Sequence, residues 1–512
     1  MKRVISYAVI AIFLAAATCL AAALDPATIV VPADSGRIVE AYNAPDPKAP
    51  LIVYLQDIHM NYESQKAEAD VLEALIRDYG FDLVFLEAKS AGSDADFKDL
   101  RKLNTIEGRI EGADNLLKKG TISGVNYVDL TTDYSFSIVG VEDLALYKKE
   151  TEDHMAIFGN RENISKLAAA LQNIASNLKL HVYSKELRDL DEKAAAYNKD
   201  EIGLVEYVKF LDGAAKANSV DLKTLPDLAL FIASSDMEGQ IDFAAVETER
   251  ETVSAAAEKA NAEAPKVKEE LAAKNMQFRT GEISQGAYYA FLKDAAETAK
   301  IDLTACKNLN LYTRYITTYE KIDTAILFKE IDQLVDQLKN ALIKTPEQKK
   351  LSQVDKGLTV ISDMVNTKLI PDEYNYYVSN KADFNLDDWL GFLKNNSAKY
   401  ALTAPVPEDV SILKTNLPLL ERFYSVSFER DNAFISAIKA DLSKFAKEKA
   451  VFVCGGFHTP NMKKLLKENG FSYLIVAPKI DVVKNYDEIY LKRTQIDLEY
   501  LNKKFPATEG KR

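Results

Sequence analysis

Along its first 150 or so residues the chain alternates short apolar runs with stretches whose apolar positions recur every three or four residues. GRIVEAY (36 to 42), LIVYLQ (51 to 56), DLVFLE (82 to 87) and FSIVGVE (136 to 142) are rich in β-branched and aromatic residues and bounded by Gly, Asp or Pro. Each predicts a strand. Between the second and third, NYESQKAEADVLEALIRDYG places Ala67, Val71, Leu72, Leu75, Ile76 and Tyr79 on one helical face. Asn61 can cap that helix and Gly80 can end it. Strand, helix and strand in that order form a βαβ unit with parallel strands and a right-handed crossover.

The pattern changes from about residue 156 to 440. This stretch is rich in Ala, Lys, Glu, Leu and Asp and helical in period almost throughout, as in LFKEIDQLVDQLKNALI (327 to 343). VETERETVSAAAEKANAEAPKVKEELAAKNMQ (246 to 277) is helix-forming but broken at Pro265. No heptad is sustained over several turns, so a helical hairpin or bundle is expected rather than a coiled coil. The strand pattern then returns in AVFVCGGFHTPNMKKLLKENGFSYLIVAPKI (450 to 480): strand, glycine turn, helix, glycine stop, strand. The expected architecture is α/β, a mainly parallel sheet flanked by helices and built from both chain ends. Residues 24–155 and 441–490 form its two halves, 156–440 a large all-α insertion, and 491–512 a C-terminal tail.

Composition narrows the function classes. With 512 residues, 47% of them hydrophobic, the chain can bury a sizeable core and hold two or three domains. A formal net charge of −13 and a pI near 5.1 exclude a nucleic-acid surface, which needs clustered Lys and Arg. The opening MKRVISYAVIAIFLAAATCLAAA, with Lys2 and Arg3 before an apolar run and small residues at Ala21 and Ala23, reads as a signal peptide (1–23) for export to the periplasm or beyond. An uncleaved anchor is the alternative. After cleavage, Cys306 and Cys454 remain, too far apart in sequence for a metal-ligand motif. No later segment approaches membrane-spanning length.

In an open parallel sheet, ligands bind beyond the carboxyl ends of the strands. His59 lies three residues past the second strand, Glu87 closes the third, Glu142 and Asp143 follow the fourth, and His458 follows VFVC by a four-residue turn. If these strands are parallel and adjacent, two of the chain's four histidines meet at one edge. Two imidazoles and a carboxylate suit a divalent transition metal that activates water or polarises a carbonyl. Without metal, one histidine can serve as general base and the other stabilise charge, with Glu87 orienting an imidazole. Asp57 and Asp143 are candidate partners for a ligand histidine. Gly455 and Gly456 can admit a ligand to the backbone and present N–H groups.

Plainer roles stand beside these. Either histidine can cap a helix or a turn, and Glu142 and Asp143 can be an N-cap pair for LALYKKE. His154 and His181 read as surface residues, and Cys454 as a small hydrophobe in a buried strand. Ser123, in GTISGVNY, lacks the Gly-x-Ser-x-Gly elbow of serine hydrolases. In ERFYSVSFERDNAFISAIKADL (421 to 442), Arg430 and Asp431 open a buried face of Phe434, Ile435, Ile438 and Leu442. They are either a surface ion pair or an Arg placed beside an anionic substrate or Glu87.

Together, QDIHMNYESQ, VFLEA, VGVEDLALY, ERDNAFISAI and CGGFHT resemble the superfamily of erythromycin esterases, the haem-binding lipoprotein ChaN and the TraB/Tiki proteins. The resemblance covers the two chain ends. It implies an α/β sheet with His59, Glu87 and His458 around one pocket and Arg430 at its margin. Members of the group differ in chemistry: metal-dependent proteolysis, metal-free ester hydrolysis, and haem or iron handling. Gln56 stands where a glycine is frequent in the group. The expectation is an exported hydrolase-like protein acting on a small-molecule or peptide substrate through His59, Glu87, His458 and Arg430. The first three are its ligands for a divalent metal. The alternatives are a non-catalytic iron- or haem-binding protein, and an interaction protein that docks a partner through its helical insertion.

Overall fold

The computed structural model describes residues 24–91, 97–102, 105–260, 265–280, 283–480 and 486–505, so the signal peptide expected over 1–23 lies outside the described residues. Among them, six strands form one sheet: β1 (Gly36–Tyr42), β2 (Leu51–Asp57), β3 (Leu83–Ser90), β4 (Ser137–Glu142), β5 (Lys449–Gly455) and β6 (Ser472–Pro478). Their order is β1-β6-β2-β5-β3-β4. All neighbours are parallel except β1, which runs antiparallel to β6 at one edge. The two chain ends interleave, with β2 between β6 and β5 and β5 between β2 and β3. The four strand ends expected to share an edge therefore do so.

Five helices position the site: α1 (Tyr62–Tyr79), α2 (Gly124–Thr131), α3 (Leu144–Phe158), α4 (Ser411–Phe445) and α5 (Thr459–Glu468). As the pattern predicts, the Asn61 side chain caps α1 by accepting the Ser64 N–H, and Gly80 ends it at φ 65, a left-handed turn that glycine adopts without strain. Ser123 caps α2 through a reciprocal pair with Asn126.

Both faces of the sheet are covered, which is why its central strands read as unbroken apolar runs. Leu51, Val53 and Leu55 of β2 pack with Val71, Leu72 and Leu75 of α1 on one face. Ile52, Tyr54, Phe452 and Cys454 pack with Phe434 and Ile438 of α4 and Met462 and Leu466 of α5 on the other.

The chain divides into two compact units. One takes the residues through Ile174 and those from Asp355 on; the other is Ala175–Val354. The second is helical, with a core that includes Val246, Val253, Tyr288, Tyr289 and Leu292. The helical stretch expected over 156–440 thus splits, because α4 buries Phe434, Ile435 and Ile438 against the sheet and belongs with it. The stretch expected as a tail from 491 is helical over Tyr486–Lys504, and Tyr147 of α3 donates a hydrogen bond to Asp497 at 3.2 Å. Among the described residues no helix is long and apolar enough to cross a membrane.

Candidate functional site

Three of the strands that feed the site break their regular path at or just after the functional residue. After β2, His59 is followed by Met60 at φ 63. In β3, Glu87 is followed by Ala88 at φ 59, where the register against β4 shifts between Leu86 and Ser90. After β5, the turn Gly456–His458 leads directly into α5. Left-handed φ at two non-glycine residues is strain that the surrounding packing must hold in place.

The result is a pair of aspartate–histidine units that meet at one glutamate. His59 Nδ1 lies 2.5 Å from Asp57 Oδ2, and His458 Nδ1 lies 2.5 Å from Asp431 Oδ1. Both Nε2 atoms face Glu87, at 3.7 Å for His59 and 3.5 Å for His458. Glu87 also accepts the Gly455 N–H at 2.7 Å and Arg430 Nη2 at 2.9 Å. A Cβ on Gly455 would stand 3.4 Å from Glu87 Oε2 and 3.6 Å from His59 Nε2, so glycine keeps the meeting point open.

Each unit has its own support. Behind Asp57, the Gln65 carboxamide donates to Oδ1 and accepts the Gly124 N–H at 2.7 Å; Glu68 accepts the Val125 N–H at 3.1 Å. The first N–H groups of α2, which a helix leaves without internal partners, thereby fix two polar residues of α1. Behind His458, Asn461 donates to the second oxygen of Asp431 at 2.7 Å. Arg430 is buried among three carboxylates. It donates to Glu142 at 2.7 and 3.1 Å, to Glu87 and to Glu150, and its guanidinium stacks 4.9 Å from the Tyr147 ring.

These contacts set the proton balance. Burial pulls the His59 imidazole down, but the Asp57 carboxylate beside it, aided by Glu87, carries it up to about 9. His458 is likewise lowered by burial and carried to about 9 by Asp431 and Glu87. For Glu87, burial is outweighed by His458, His59 and Arg430, which hold its carboxyl well below the usual range. Burial, and then Asp57, push the Glu68 carboxyl well above that range. Burial also raises Glu142, against the pull of Arg430.

The structure brings together His59, Glu87, His458, Arg430, Asp57, Gly455 and Glu142. It places two of the expected residues elsewhere. Asp143 is exposed and spends its carboxylate capping α3 at the Ala145 and Leu146 N–H groups. Gly456 is exposed, with open space around it. The Gly455 N–H is committed to Glu87 rather than offered to a ligand. Arg430 and Asp431 are 2% and 1% exposed, so the surface ion pair is replaced by two buried residues that hold Glu87 and His458. His181 is exposed, but His154 is half-buried, its ring about 6 Å from those of Phe158 and Phe423. Gln56 donates to the Thr459 hydroxyl at 2.8 Å, tying the end of β2 to the start of α5.

The sequence reading missed Gln65, Glu68, Asn461 and Glu150. Gln65 closes the QDIHMNYESQ stretch, and Asn461 lies one helical turn past His458, so both carried a positional signal. Cys454 is also more than core filling. Glu87, Cys454 and His458, all buried, offer ligand atoms within 4.8 Å of one another and can hold a metal ion; His59 falls outside that group. A carboxylate, a thiol and an imidazole with its far nitrogen held by a carboxylate are a donor set suited to a transition metal. No family model matches the chain, and neither does any curated protein or solved structure.

Proposed function

We propose that the carboxyl edge of the sheet is a hydrolytic site for ester or peptide bonds, in a protein exported by its leader. Glu87 and His458 hold a divalent transition metal at its base, and His59 works at its mouth. The observation that carries this reading is the convergence of two aspartate-held histidines on Glu87, one backed from each face of the sheet. The likeness of the motifs to erythromycin esterases and TraB/Tiki proteins supports it. When bound, the metal would polarise the scissile carbonyl and acidify a water.

The chain's own residues divide the remaining work. His59, with its side chain 33% exposed against 4% for His458, is the one a substrate can reach. Asp57 holds its Nδ1 and so aims Nε2 at the reacting atoms. With its imidazole carried up to about 9, His59 holds both ring protons at neutral pH and begins as a proton donor to the leaving oxygen or nitrogen. Arg430 keeps Glu87 ionised and in place, and touches no substrate itself.

The test is turnover of nitrophenyl esters and short peptides by metal-loaded protein. The wild type should hydrolyse one of these classes and His59→Ala should not, although it still holds metal. Absence of turnover on both classes by a loaded wild type would contradict hydrolysis. It would favour the second reading, non-catalytic iron or haem binding, which draws on the depth of Glu87, Cys454 and His458.

A further inference from the structure

The cluster at the base of the site contains a donor that the hydrolytic reading leaves unused. Cys454 is fully buried on the α4 and α5 face of β5, with its Sγ within 4.8 Å of the ligand atoms of Glu87 and His458. The fold leaves these groups little freedom. β3 and β5 pair at Leu86 and Val453, and one more step along that register sets Glu87 beside Cys454. His458 is fixed by Asp431 at Nδ1, which leaves Nε2 to face the cluster.

Resting on the metal-site reading above, we propose that Cys454 is a thiolate ligand. The site then takes a thiophilic ion of the zinc, cobalt or ferrous class in preference to magnesium or calcium. Thiolate and imidazole favour such ions, whereas calcium and magnesium need oxygen ligands or retained water. Here Glu87 is the one carboxylate in the group, and both its oxygens already accept hydrogen bonds. Burial, and then the neighbouring Glu87, push the thiol well above its ordinary range. Without a cation, Cys454 is therefore a neutral thiol, and the sequence gives it the look of inert core. A divalent ion that binds here displaces two protons to water, one from the Cys454 thiol and one from Nε2 of His458. The Arg430 charge is matched by Glu142 and Glu150 as well as Glu87, so it does not bar a second cation.

The experiment is the absorption spectrum of the full mature chain loaded with Co²⁺. The expected result is a thiolate-to-cobalt charge-transfer band in the wild type. That band should be absent from Cys454→Ser, which should bind zinc at least about tenfold more weakly. Excess magnesium should leave the wild-type band unchanged. A cobalt-loaded wild type without the band overturns the thiolate assignment and leaves a metal site standing on Glu87 and His458. A wild type that takes up neither cobalt nor zinc overturns this inference together with the reading beneath it. The decisive spectrum is that of the unsubstituted protein, so misfolding of Cys454→Ser cannot obscure it.

Discussion

The two aspartate–histidine units are alike in their bonds and opposite in their surroundings. Both hold Nδ1 at 2.5 Å from a carboxylate and both turn Nε2 toward Glu87. The His59 unit is backed by α1 and α2 and reaches solvent. The His458 unit is sealed beneath α4 and α5, next to Arg430 and Cys454. The same pair of side chains is thus suited to two tasks: the open unit can exchange a proton with a substrate, and the closed one can hold a cation against fixed negative charge. Burial, not residue identity, separates them.

The largest way to break this comparison is at the residue that anchors its closed half. Arg430→Met leaves the buried carboxylates of Glu87, Glu142 and Glu150 without their shared cation and should destabilise the protein by about 3–5 kcal/mol, read from urea unfolding. Next comes the contrast between the aspartates. Asp431→Asn should weaken metal binding by roughly 10–100-fold, the usual cost of losing a partner that orients a ligand histidine. Asp57→Asn should leave metal affinity near the wild-type value and lower kcat, which titration calorimetry and kinetics would separate.

The pH dependence of the metal-free protein sharpens the same point. A histidine raised from 6.5 to about 9 on folding contributes stability that is fully present below pH 6.5 and is lost as the pH rises through about 9. For His458 that loss is about 3 kcal/mol, visible as a falling unfolding midpoint over this interval; His59, raised to the same value, falls with it, so His458→Gln should reduce the slope and leave the His59 part. The smallest effect is expected at Glu68. Burial and Asp57 push its carboxyl upward, and Gln keeps an acceptor for the Val125 N–H, so Glu68→Gln should change stability by less than about 1 kcal/mol, read from urea unfolding.

Much of the sheet was legible because its strands are buried on both faces and bounded by turn residues, as in LIVYLQ and VFVC. The caps of α1 were legible for the same local reason, since Asn61 and Gly80 act within one turn of themselves. The boundary of the second unit was not. The helices of 175–354 and α4 share the same helical period in sequence, and only packing on the sheet tells them apart. Within the site, His59, Glu87 and His458 could be placed from strand ends alone. Asp431 and Glu150 could not, because their distances to His458 and Arg430 are made by the crossing of α4 over β4 and α3 rather than by spacing along the chain. Cys454 misled because a buried strand cysteine looks the same in sequence whether its neighbours are apolar or ligands.

The central claim, that the closed unit holds a cation while the open one does not, is tested most directly by metal content. The measurement is zinc bound per chain, by mass spectrometry, in the wild type, His59→Ala and His458→Ala. The account predicts near-stoichiometric zinc in the wild type and in His59→Ala, and loss in His458→Ala. Retention in His458→Ala, or equal loss in both variants, would contradict the division of labour between the two units.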